Sequence, residues 1–121
     1  DNNYYEKSIK IEIYRAHVQA GMKRYDLAFE ILNEQKKTFA QKEEEIFGSN
    51  TKLWLNYALL YAYAEITHMK RPSKSEAELM KLVELVAENE NNILYRQMYA
   101  GTKMLLEKTG NTNMLEQLTK P

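Results

Sequence analysis

His17 and His68 are the only histidines in the chain, so they are the first residues to weigh for chemistry. A zinc site gathers three or four His, Cys, Asp or Glu ligands, and the helical HExxH spacing supplies two of them four residues apart. The two histidines here lie on separate predicted helices, and there is no cysteine to act as thiolate ligand, nucleophile or disulfide partner. A phosphate loop needs clustered glycines, whereas Gly21, Gly48, Gly101 and Gly110 stand singly. Glu43, Glu44 and Glu45 point in three directions on a helix and do not converge on a substrate. They fall near a predicted helix C-terminus, where the dipole disfavours negative charge, and read as a solvated end. No catalytic residue, metal site or cofactor is expected.

Glu65 stands apart because it falls within LWLNYALLYAYAEI (53–66), whose only other polar residue is Asn56. Near the last turn of that helix it is predicted to occupy the solvent edge, with Lys70 or Arg71 offsetting its charge. The alternative, a buried carboxylate, requires a partner or neutralisation. The same segment carries Trp54, Tyr57, Tyr61 and Tyr63. Tyrosine can bury its ring while its hydroxyl reaches a polar edge, so packing is the first role for this cluster and ligand contact the second. Tyr57 and Tyr61 share one stripe of the helix, and Asn56 and Tyr63 share another. Tyr14-Arg15 is echoed by Tyr95-Arg96, which gives the two arginines matching places in their helices. Arg15, Asn56, Tyr63 and Arg96 are the candidate ligand-binding residues.

Helices must position these groups, because no stretch alternates apolar and polar residues long enough to read as a strand. The first helix is predicted over 4–20, with Ile9, Ile13, Tyr14 and residues 16–20 on or near one side and Gly21 as its C-terminal cap. The second runs from Tyr25 to Ile46, with Ala28, Ile31, Leu32, Gln35 and Phe39 at helical spacing. The third covers 51–69 and ends at Arg71-Pro72. At fourteen residues its apolar run is short of the roughly twenty that span a bilayer, so it is read as a central core helix. Ser73 and Glu76 form a capping-box signature for the fourth helix, whose apolar stripe is Met80, Val83, Leu85, Val86 and Ala87. After a turn at 89–92 the fifth helix runs over 92–109. A short sixth, capped by Asn111 or Thr112, ends near Lys120. The fold class is therefore all-α, with six helices in three antiparallel pairs.

The pairs echo one another. Tyr-x-x-x-Tyr-Ala begins at Tyr57 and again at Tyr95, a spacing in the range of helical-hairpin repeats. AGMKRYDLAFEILNEQ (20–35) resembles the turn and second helix of a tetratricopeptide repeat: Tyr25, Ala28 and Leu32 match its spacing after the glycine-containing turn. A small Ala28 lets two backbones approach while Tyr25 and Leu32 fill the gaps beside it. Two extra residues between Gly21 and Tyr25, a long second helix and the lack of a closing proline depart from the pattern. The resemblance covers one repeat well and the other two loosely. It implies a right-handed superhelical stack that holds a protein or peptide ligand in a groove and serves as a scaffold within signalling or regulatory proteins.

Charge agrees with that expectation. Seventeen basic and seventeen acidic residues leave no net charge, which argues against a nucleic-acid partner. Membrane insertion is not expected, and no targeting motif points to a compartment. The 121 residues read as a single domain, and a start at Asp1 rather than Met suggests either a processed chain or a piece of a larger protein, the latter being the expectation. The rival expectation is a homodimerisation module, with apolar surface left open on the fifth helix beside the short sixth.

Overall fold

The computed structural model describes residues 2–44 and 47–119; the side chains of Asn2, Asn3 and Thr119 are outside the description. The described chain is all-α. Its helices are α1 (Asn2–Gly21), α2 (Tyr25–Lys42), α3 (Ser49–Lys70), α4 (Glu76–Glu88), α5 (Tyr95–Thr109) and α6 (Glu116–Thr119). Short 3-10 turns occupy Pro72–Lys74 and Thr112–Leu115.

Apolar spacing sets the packing. On α1, Ile9, Ile13, Ala16 and Ala20 recur every three or four residues and are buried. They meet Ala28, Ile31, Leu32 and Phe39 of α2 and Leu55, Leu59, Ala62 and Ile66 of α3 in one core. The opposite side of α3 contributes Tyr57 and Ala64 to a second core with Leu79, Leu82, Val83 and Val86 of α4, Met98, Leu105 and Leu106 of α5, and Met114 and Leu118. Because α3 serves both cores, it touches α1, α2, α4 and α5. An all-round apolar helix is stable only when covered on more than one side, and none of its residues from 51 to 68 is exposed. No helix of the described chain is long and apolar enough to cross a membrane.

Several boundaries differ from the sequence reading. Gly21 does not supply the left-handed cap of α1; Lys23 does, at φ 65°. Its N–H donates to Ala20 and that of Arg24 to Gln19, the two bonds of a Schellman closure moved two residues along by the longer turn. Gly110, at φ 76°, closes α5 in the same way, with Asn111 N–H donating to Leu106. The second helix ends at Lys42; Glu45 and Ile46 lie outside the described residues, as does Lys120. Ser73 forms no capping box, because Pro72 starts a 3-10 turn and the helix begins after Ser75. The buried Ser75 hydroxyl donates to the Pro72 carbonyl instead. On α4 the buried stripe is Leu79, Leu82, Val83 and Val86, so Met80, Leu85 and Ala87 flank it. The fifth helix starts at Tyr95, three residues late, since the Asn92 carboxamide accepts the Leu94 N–H and holds a turn there. Tyr14, placed near the core side of α1, is exposed.

Candidate functional site

Two concave surfaces lie on opposite sides of α3. The first, about 290 Å³, is lined by Ile13 and His17 of α1, by Trp54, Tyr57, Ala58 and Tyr61 of α3, and by Gln97 and Gly101 of α5. Its aromatic wall follows from helical spacing. Trp54, Tyr57 and Tyr61 are three and four residues apart and pack along one stripe as tilted rings, with centroids 5.3 and 5.9 Å apart.

Tyr57 is the fixed part of that wall. Its hydroxyl donates to the Met98 carbonyl at 3.1 Å and lies 3.3 Å from Thr102 Oγ1. Burial pushes its phenol up to about 12, so it stays neutral. Gly101 sits beneath that hydroxyl. A Cβ there would come within 2.6 Å of the phenolic oxygen, which explains a glycine in the middle of α5 despite its low helix propensity. Tyr61 is less buried, and the same desolvation raises its phenol.

One end of the groove carries an ionic cluster. Tyr57, Tyr61 and Glu65 continue the same i, i+4 stripe, and Glu65 Oε1 lies 2.7 Å from His17 Nε2. Its second oxygen accepts from Lys108 Nζ, also at 2.7 Å. The His17 bond, then desolvation in opposition, then the Lys108 bond set its acidity, and the carboxyl is lowered to about 2. His17 Nδ1 lies 3.1 Å from the Ile13 carbonyl. Both ring nitrogens thus face acceptors, an arrangement only the imidazolium satisfies fully, and the Glu65 bond raises the histidine above its usual value. With both nitrogens committed, His17 has no free one to activate a nucleophile. Among the described residues there is no group of three or more His, Cys, Asp or Glu placed to hold a metal.

The second cavity, about 340 Å³, lies between α2, α3 and α4 and contains Asn56 and Tyr63 with Lys36, Phe39, Leu60 and Lys81. Tyr63 donates to Asn33, packs on Phe29 at 5.4 Å and carries the Lys36 ammonium 4.8 Å above its ring.

Of the four sequence-predicted residues, Asn56 and Tyr63 come together in this second cavity. Arg15 and Arg96 are exposed and line neither surface. Arg15 pairs with Glu12 on its own helix at 2.8 Å. Glu65 is not at the solvent edge, since its side chain is only 13% exposed, and its partners are His17 and Lys108. Lys70 pairs with Asp26 instead. The sequence reading missed Gln97, the role of Gly101 and the His17–Glu65 bond. Extending the Tyr57–Tyr61 stripe by one turn reaches Glu65, a signal that was present; the arrival of His17 from α1 depends on tertiary packing.

Comparison with protein-family models, curated proteins and solved structures finds no match to the chain.

Proposed function

We propose that this chain is a tetratricopeptide-like interaction domain of a larger signalling or regulatory protein, and that it binds a peptide segment of its partner in the α1–α3–α5 groove. The observation that carries this reading is the aromatic wall between two flanking helices, in which the partly exposed rings of Trp54 and Tyr61 pack against the buried Tyr57. In the helical-hairpin reading, α1, α3 and α5 are the first members of three successive pairs, and such helices line the concave face of a superhelical stack. The repeat-like segment supports it: Ala28 and Leu32 are fully buried and Tyr25 packs against their core.

Recognition needs no cofactor in this scheme. The groove accommodates one or two apolar anchor side chains against Trp54 and Tyr61, while the Gln97 carboxamide and the exposed ammonium of Lys108 offer polar contacts to the peptide. Tyr57 is already held by Met98 and Thr102, so the wall is preformed and binding pays little ordering cost.

Short peptides selected from a random library against the folded protein test this reading. Trp54 is the only tryptophan, so its emission reports occupancy directly. Binding should weaken about tenfold or more in Tyr61→Ala, in keeping with loss of an aromatic anchor, and should change little with salt. Selected peptides that leave Trp54 emission unchanged and bind Tyr61→Ala equally well would refute it.

A further inference from the structure

The outer face of α1 carries an apolar stripe that neither the cores nor the groove uses. Tyr4, Ile11, Tyr14 and Val18 recur at helical spacing, with Met22 in the turn that follows, and the first three are 64%, 64% and 72% exposed. The buried residues Ile9, Ile13, Ala16 and Ala20 occupy the opposite side of the same helix. Scattered exposed side chains are ordinary, but five aligned along one face form a surface of the kind that associates.

We infer that this stripe is a two-fold interface with a second copy of the chain, in which α1 packs antiparallel against the partner's α1. Three observations favour a second copy as the occupant. The stripe is self-complementary about a point between Ile11 and Tyr14: reversing one helix sets Ile11 over Tyr14, Val18 over the aliphatic stem of Lys7, and Tyr4 over Gly21, one residue from Met22. The area suffices, since each exposed aromatic offers roughly 150 Å² and the five side chains together on the order of 500 Å². Two copies therefore bury about 1,000 Å² from the stripes alone, the lower bound for a specific interface, and the stems of Lys7 and Arg15 add to it. Charge is also compatible. Glu12 and Arg15, 2.8 Å apart, flank the two-fold point, so antiparallel packing brings each Arg15 within about one helical turn of the other copy's Glu12. Glu6 likewise neutralises Lys10 within the helix at 2.8 Å. Ile13 and His17 point into the groove rather than the seam, so the peptide site stays open in the dimer.

Sedimentation equilibrium from micromolar to submillimolar loading reads the association. The mass should rise from 14.3 kDa towards twice that value with concentration. The double variant Ile11→Glu/Tyr14→Glu should weaken the dimer by roughly 100-fold or more through like-charge juxtaposition, with unchanged helical circular dichroism. The chain has no cysteine, so single introduced cysteines report geometry without background. Ile11→Cys should form a disulfide-linked dimer under mild oxidation. Tyr4→Cys should not, because its copy lies roughly 25 Å away along an antiparallel seam, whereas a mixture of Tyr4→Cys and Met22→Cys should cross-link. A chain that stays monomeric throughout, a dimer indifferent to the double variant, or efficient self-linking of Tyr4→Cys would each overturn the proposal.

Discussion

The Tyr57 hydroxyl lies so close over Gly101 that one methyl group on the glycine would approach the phenolic oxygen to 2.6 Å. Alanine normally stabilises a helix interior by about 1 kcal/mol over glycine. Here that gain is opposed by displacement of a buried hydroxyl from Met98 and Thr102, a loss of about 1–3 kcal/mol. Gly101→Ala should therefore destabilise the wild-type chain by about 1 kcal/mol. In a Tyr57→Phe background the new Cβ meets ring carbons of residue 57 at 3.7 Å and of Tyr61 at 3.9 Å, both ordinary contacts, and the same substitution should stabilise. Urea unfolding of the four proteins in this cycle reads the change of sign, and equal effects in both backgrounds would show that the contact is slack.

The Glu65 cluster should give stability an optimum in pH. The folded-state carboxyl is lowered from 4.5 to about 2, so its contribution is complete above about pH 4.5 and fades as the pH falls towards 2. His17 is raised above 6.5, so its contribution is complete below that value and is lost as the pH rises through the folded-state pKa. The difference in melting temperature between wild type and Glu65→Gln should thus be largest between about pH 4.5 and 6.5. His17→Phe should remove the alkaline arm while Lys108 preserves part of the acid arm. A pH-independent difference for Glu65→Gln would show that the cluster is not ionised as described.

Close packing at the first hairpin should appear as intolerance to added volume. Ala28 is fully buried between α1 and α2, so Ala28→Leu should cost about 1–3 kcal/mol. Ala40, exposed on the same helix, should accept leucine. The central position of α3 makes a companion test: Leu59→Ala should cost about 2–5 kcal/mol and Leu60→Ala less, since Leu60 is only partly buried. Chemical denaturation of all four variants gives the ranking, and equal midpoints for Ala28→Leu and Ala40→Leu would contradict it.

Lys23 is the one described non-glycine residue with a positive φ. A Cβ in the left-handed region costs about 1 kcal/mol, partly offset by glycine's greater freedom when unfolded. Lys23→Gly should raise stability by roughly 0.5 kcal/mol, whereas Gly21→Ala should be neutral or better, because Gly21 is in ordinary helical conformation with open space around it. A Gly21→Ala chain that melts clearly below wild type, with no gain from Lys23→Gly, would place the cap where the sequence first suggests it.

Helix type and the burial of α3 were legible because they rest on local periodicity: Ile31, Leu32, Gln35 and Phe39 sit on the buried face that their spacing predicts. The division of α3 into two stripes was legible for the same reason, with Tyr57 and Tyr61 facing one concavity and Asn56 and Tyr63 the other. Which neighbours close each concavity was not, since that depends on how α1 and α5 dock. Arg15 and Arg96 illustrate the limit, because equivalent places in two helices do not make their side chains meet. Caps were misread where a turn residue acted through tertiary context: Ser75 rather than Ser73 is buried against His68, 3.2 Å away.

Chemical-shift mapping of the labelled chain with a library-selected peptide tests most directly whether the α1–α3–α5 groove is the binding surface. Perturbations are expected at the Trp54 indole and at the amides of Tyr61, Gln97 and Gly101, with Lys36, Asn56, Tyr63 and Lys81 nearly unmoved. Shifts centred on Asn56, Tyr63 and the two lysines, with the Trp54 indole unchanged, would place binding in the opposite cavity and contradict the proposed function.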